Sequence, residues 1–187
     1  MNAKRRSRNL ARPDPARPEI LRLNDGRDVV LRPIDAADAA PIAAGFELLN
    51  ENEIRHRYLH PVKALSEGHL HRLTHPAEGD DFVLVAAEPL PPGEALVGAV
   101  ARLARDSADR SRAEFALLVS HYLCGQGLGR HMLQRLLDWS RRHGLREVWG
   151  DVADDNLPML RLAQAMGFRR ESILGSPGVI RITHRLA

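Results

Sequence analysis

Residues 112–144 carry the most restrictive pattern in the chain. RAEFALLVS (112–120) is a short apolar run of the kind a covered strand needs. CGQGLGR (124–130) follows with three glycines in seven residues. After it, Leu128, Met132, Leu133, Leu136 and Leu137 recur at helical spacing until Gly144. The period thus changes from strand to helix across one glycine-rich turn. Glycines there let backbone approach a ligand closely, and the helix that follows points its positive dipole end into the same concavity. Together these predict a phosphate site. A P-loop is excluded, because no Lys-Ser/Thr pair follows the last glycine. A dinucleotide fold expects G-x-G-x-x-G in an early βαβ unit. Here the spacing is G-x-G-x-G, after about five predicted strands. A coenzyme A cradle and a plain strand-to-helix turn remain.

The rest of the chain supplies strands on both sides of this unit. EILRL and DVVLRP alternate around Asn24-Asp25-Gly26 and predict a hairpin over 19–33. Asp35, with Asp38 three residues on, predicts a helix start that runs to Leu49. Short helices are expected near 51–57 and 66–73, and strands at 81–88, 95–104 and 146–152. Asn156 opens a helix that stops at Gly167, and two strands close the chain. No repeat or interdomain linker interrupts this order, which predicts a mixed α+β domain around one sheet.

Charge separates a tail from this body. Residues 1–18 hold six basic residues against Asp14, a charge of +5, while the remaining 21 basic and 23 acidic residues sum to −2. A basic arm can bind nucleic acid, but Pro13, Pro15 and Pro18 favour a solvated, flexible extension, with the domain over 19–187. Nucleic acid is therefore not the expected partner. Apolar runs are too short for a membrane span and the N-terminus lacks a signal-peptide centre, so a cytoplasmic protein is expected. The single cysteine, Cys124, rules out an internal disulfide and a cysteine-based zinc site.

Residues 114–168 resemble the GNAT acetyltransferase superfamily. The resemblance rests on the strand end Leu117-Leu118-Val119, the loop Gly125-Gln126-Gly127-Leu128-Gly129, the amphipathic helix, and the Asn156 helix ending at Gly167-Phe168. It implies an α+β fold whose mostly antiparallel, twisted sheet has six to seven strands and about four helices, splayed at the coenzyme site. It implies acetyl-CoA as cosubstrate, with its pyrophosphate in the loop and no metal. Cys124 stands where the family usually has Gln or Arg, and Arg130 is placed to compensate. Asn156 either binds the coenzyme arm, as in the family, or simply caps its helix.

Acetyl transfer to an amine needs a base and an oxyanion donor. A lysine is only about 1 part in 2,500 neutral at pH 7, a cost of ~4.6 kcal/mol. Glu114, alone among apolar residues of its strand, is the candidate base; its alternative is a salt bridge to Arg102 or Arg112. The resemblance assigns the oxyanion contact to the Val119 N–H. A tyrosine about seven residues after the helix-start Asn protonates the leaving thiolate in many GNAT enzymes, and Ala163 stands there. Cys124 has no placed activator and is not expected to be a nucleophile. His56, His60, His69, His71 and His75 form no H-E-x-x-H and are expected to line the acceptor groove or face solvent.

LRPI (31–34), RYLHPVKALS (57–66), AEFALLV (113–119) and NLPML (156–160) are similar to the catalytic domain of bacterial Pat-type protein lysine acetyltransferases. That resemblance implies Glu114 as base and a protein acceptor such as an acyl-CoA synthetase. A small amine or amino acid on the same fold, and a non-catalytic acyl-CoA-binding module, are the competing readings.

Overall fold

A computed structural model of the protein describes residues 14–186. The basic cluster of the N-terminal tail lies outside the described residues. Eight strands form one sheet: β1 (Glu19–Arg22), β2 (Asp28–Pro33), β3 (Asp81–Ala87), β4 (Val97–Arg105), β5 (Arg112–Val119), β6 (Glu147–Ala153), β7 (Arg169–Ser172) and β8 (Val179–Arg185). Five helices accompany them: α1 (Ala39–Glu47), α2 (Glu51–Tyr58), α3 (Glu67–Thr74), α4 (Leu128–Arg142) and α5 (Leu157–Ala165). The expected fold class holds, with more elements than the six to seven strands and four helices expected. The additional strands are short edges. β1 and β7 have four residues each and are rich in charge, which suits an edge that must not recruit another chain.

The sheet order is β1-β2-β3-β4-β5-β6-β8-β7, and every neighbouring pair is antiparallel except β5–β6. Helices cover both faces, which is why β3 is apolar from Phe82 to Ala87. Phe82, Leu84 and Ala86 face the core beneath α4 and α5, while Val83 and Val85 face the core beneath α1 and α3. In α4, Met132, Leu133, Leu136 and Leu137 are essentially fully buried. Each such side chain contributes about 1.5–3 kcal/mol of apolar burial.

The predicted helix starts are built from caps. Asp35 accepts from the Ala37 N–H at 2.9 Å, and Asp38 accepts from the Asp35 N–H at 2.8 Å, closing a capping box before α1. Asp38 is completely buried and also receives Arg32 bidentately at 2.7 and 2.8 Å. Asn50 and Ser66 cap α2 and α3. Ahead of β1, residues 14–18 pack on the same body. Arg135 of α4 donates to the carbonyls of Pro15 and Arg17, so residues 14–18 lie against the helix.

The parallel pair is brief. β5 and β6 pair only over Arg112–Glu114 and Glu147–Trp149, and then diverge. Gly150 sits at the point of divergence. A Cβ there would lie 2.8 Å from the Phe115 ring and 3.0 Å from the Phe115 carbonyl oxygen. The absence of a side chain at Gly150 therefore lets the ring and carbonyl of Phe115 occupy the apex of the wedge.

Candidate functional site

The wedge leaves one edge of β5 open. Backbone groups alternate sides along a strand. The Arg112 carbonyl accepts from Asp106 and the Ser120 N–H donates to Gly98 of β4, both at 2.9 Å. Even-numbered residues of β5 therefore spend their backbone groups on β4. Phe115, Leu117 and Val119 turn theirs toward the side that β6 has left. The Val119 N–H thus opens into the wedge, while its carbonyl accepts from the Cys124 thiol at 3.5 Å.

The glycine loop follows one 3-10 turn later. Gly125 and Gly127 have φ of 76° and 79°, in the left-handed region that a side chain disfavours. Gly127 is the N-cap of α4, and no side chain caps this helix. The first turn of a helix has no intrahelical acceptors for its N–H groups, so these amides and the positive dipole end face outward together. This 15-residue helix thus presents the anion-binding arrangement the sequence predicts.

Loop and wedge share one groove of about 410 Å³. Leu117, Leu118 and Val119 form one wall; Cys124, Gly125, Gly127, Leu128, Gly129 and Arg130 form the loop side. Asn156, Pro158, Met159 and Leu162 form the opposite wall. Nine of the ten residues predicted for the coenzyme therefore meet in one cavity. The tenth, Gln126, does not line it, and its Oε1 is buried without a partner. Asn156 lines the groove and also caps α5, accepting from the Met159 N–H at 3.2 Å. Ala163 does not face the groove: it is wholly buried in the core. The α5 positions that do face it carry no acidic proton.

Glu114 projects from the other face of β5. It is solvent-exposed and makes no hydrogen bond or ion pair among the described residues. The alternative salt bridges are not formed, since Arg102 pairs with Asp81 at 3.0 Å and Arg112 with Glu147 at 2.7 Å. Withdrawal of water by the surrounding protein raises the Glu114 pKa, and Asp151 adds to it; Arg102, Arg57 and Arg181 oppose the rise. The carboxylate is thus open to an incoming amine, and the surrounding protein raises its pKa, the direction that suits a general base. Asp151 is itself held by Arg181 through two 2.8 Å bonds, and Arg181 lies 4.2 Å over the Trp149 ring.

Sequence reasoning missed the role of α2, which bridges the two arms of the wedge. Toward β5, Glu53 accepts from the His121 backbone N–H at 2.5 Å and meets its ring at 3.1 Å. Toward α5, Arg55 and His56 both reach Asp155, at 2.5 and 3.0 Å. Glu53, His56 and Arg57 cover the groove. The remaining predicted histidines pack locally: His60 and His69 lie against Tyr58, and His71 stacks on His75. No group of three or more metal-ligating side chains is gathered among the described residues. Burial pushes the Cys124 thiol pKa up, with Glu53 adding to it, which is the wrong direction for a nucleophilic thiolate.

Residues 28–169 match the family model of the acetyltransferase (GNAT) domain. The crystal structure of the GNAT domain of S. lividans PAT superposes with a TM-score of 0.78 at 26% identity, over 90% of this chain and 97% of that one. The cAMP-binding acyltransferase from Mycobacterium smegmatis matches at 0.62 and 20% identity over 91% of this chain, which spans only 48% of that protein. The Salmonella typhimurium protein yncA, solved with its cofactor acetyl-CoA, matches at 0.64 and 20% identity over 84% of this chain and 92% of that one.

Proposed function

The chain belongs to the GNAT acetyltransferase family, and from that premise we propose that it moves an acetyl group from acetyl-CoA to a primary amine, with Glu114 as general base and a protein lysine as acceptor. One observation carries the reading: an unpaired, raised-pKa carboxylate stands on the same strand whose open edge faces the uncapped loop–helix groove. The likeness to the S. lividans PAT domain supports the lysine acceptor.

Bound acetyl-CoA would supply an acyl group activated as a thioester. The chain's own residues fit that ligand. The amides from Gly125 to Arg130 and the end of α4 hold pyrophosphate charge, as a backbone nest does. Leu117, Leu118 and Val119 lie along the open edge of β5, where backbone groups are available to an extended amide-bearing arm. Glu114 takes a proton from the acceptor ammonium, directly or through water, which offsets the ~4.6 kcal/mol cost of a neutral lysine at pH 7. The Val119 N–H donates to the carbonyl oxygen as its charge grows.

The test is thiol release from acetyl-CoA by the purified protein, with and without Glu114→Gln. A panel of free amines is compared with a cell lysate and a candidate acyl-CoA synthetase. Glu114-dependent release with a protein acceptor, and label retained on lysine, supports the proposal. Turnover with small amines alone replaces the acceptor class. Coenzyme binding without turnover on any acceptor refutes catalysis.

A further inference from the structure

We infer that Arg57 is the residue that holds the negative charge of the departing thiolate, the task for which α5 offers no acid. This inference rests on the acetyl-transfer reading above. Three features of the structure lead to it.

The first is a guanidinium without a partner. Arg57 makes no hydrogen bond and no ion pair among the described residues, unlike the neighbouring Arg55, which is held by Asp155. Its guanidinium lies 4.9 Å over the Tyr58 ring. It is half-buried, and partial loss of water lowers its pKa, with Arg102 adding repulsion and Glu114 opposing the fall. An arginine remains charged even so. A half-buried cation with no anion in direct contact is readily completed by an anionic ligand group.

The second is position. Arg57 lines the coenzyme groove together with Leu117, Val119, Asn156 and Met159. It also feels the charge of Glu114. The reacting carbonyl must lie between the base and the Val119 N–H, so Arg57 borders the place where that carbonyl and its sulfur would sit.

The third is the effort spent holding it there. α2 is tied at one end to His121 and at the other to Asp155. It ends in Leu59 at φ 60°, the one positive-φ residue other than glycine among the described residues. That strain terminates the helix immediately after Arg57 and Tyr58. Phe46 and His69 meet the Tyr58 ring edge-on at 6.1 and 5.8 Å and fix the platform beside the guanidinium.

The chemistry has the matching need. Across the transfer one C–N bond forms and one C–S bond breaks. One ammonium proton passes to Glu114 and on to water; the second ends on the thiolate by way of solvent. Between bond cleavage and that last transfer the sulfur carries a full negative charge, and no groove-facing side chain of α5 can protonate it. A fixed cation stabilises it without a proton transfer.

The experiment reads the thiol of bound coenzyme A directly. Thiolate ultraviolet absorbance is followed against pH for coenzyme A on the wild type, Arg57→Met, Arg57→Lys and Glu114→Gln. Each is taken as a difference from the ligand-free protein, which cancels Cys124. A free thiol ionises near pH 8.5. On the wild type and Glu114→Gln, ionisation is expected about one pH unit lower or more, a tenfold gain in thiolate. Arg57→Met should return it to the free value, and Arg57→Lys should keep most of the shift. In turnover, Arg57→Met should lose about 10²-fold in kcat with little change in the KM for acetyl-CoA. An unshifted thiol on the wild type, or an equal shift with Arg57→Met, overturns the inference. An unshifted wild-type thiol overturns the inference even where a variant does not fold. Failure of Glu114→Gln to lose activity would instead overturn the base assignment and leave the thiol result standing.

Discussion

Gly150→Ala tests whether the wedge is built as described. The added Cβ would meet Cε1 of Phe115 at 2.8 Å, Cδ1 at 3.0 Å and the Phe115 carbonyl oxygen at 3.0 Å. Ordinary carbon contacts lie near 3.5–4.0 Å, so roughly half an ångström must be found. The ring has little freedom, because Phe115 is 5% exposed and packs 5.5 Å from the Phe168 ring. The carbonyl has less, since moving it moves β5 itself. Overpacking of this kind typically costs about 1–3 kcal/mol. For a chain of this size each kcal/mol lowers Tm by about 2–4 °C. Thermal unfolding should therefore fall by about 2–12 °C, and coenzyme A should bind more weakly because β6 is pushed from β5 at the groove. Adding Phe115→Leu should recover part of the loss, since the ring contacts vanish and the carbonyl contact stays. The two substitutions should thus be non-additive. A Gly150→Ala protein that melts within about 1 °C of the wild type, or a strictly additive double variant, would refute the account.

Three further outcomes follow from the same geometry. Glu114→Gln should cut turnover by about 10²–10⁴-fold yet match or exceed the wild type in Tm at pH 7. A carboxyl whose folded pKa is raised loses stability as pH climbs from its unfolded to its folded pKa, and the amide removes that loss. For the same reason kcat/KM in the wild type should rise with pH through a value above the usual carboxylate range, and this limb should vanish in the variant. Asp38→Ala should cost about 3–5 kcal/mol by leaving Arg32 buried and unpaired, read by denaturant unfolding. Burial alone would raise Asp38, but the bonds from Arg32 and the Asp35 N–H lower it, so its contribution holds above the unfolded pKa and is lost as pH falls through the folded one. Gly127→Ala should weaken coenzyme A binding and cost about 1–2 kcal/mol of stability, because φ of 79° suits glycine alone; equal affinity by calorimetry would show that the loop does not hold the ligand.

Local chemistry made much of this site readable in the sequence. A glycine turn between a strand period and a helix period marks the anion loop, because the backbone itself is the ligand-binding element. Glu114 is conspicuous because a carboxylate in an apolar strand must point somewhere special. Asp35 and Asp38 announce a helix start within three residues of one another, the range over which a capping box acts. The edge strands β1 and β7 are likewise legible as strands, the first from its hairpin turn and the second from the turn that precedes β8.

What escaped the sequence depends on phase and on distance along the chain. Seven residues after Asn156 is nearly two helical turns, which would place Ala163 on the face of Asn156 if both belonged to one helix. Asn156 is a cap with ψ of 66°, off the helical path, and Ala163 lies on the core face of α5. The structure puts Leu162 in the groove and Ala163 in the core. The bridge made by α2 is less visible still. Glu53 meets His121 across 68 residues and Arg55 meets Asp155 across 100, so no local pattern reports either contact. In sequence, Glu51–Tyr58 is a short polar helix without an apolar stripe, the composition of a solvated connector. Its low apolar content has a different cause: five of its eight residues are charged or histidine because it spans an open wedge and rests on ion pairs instead of a core. A polar helix that spans a gap in a sheet has to be fixed by such long-range pairs, and they carry the residue just beyond them, Arg57, to the groove without a hydrogen bond or ion pair of its own among the described residues.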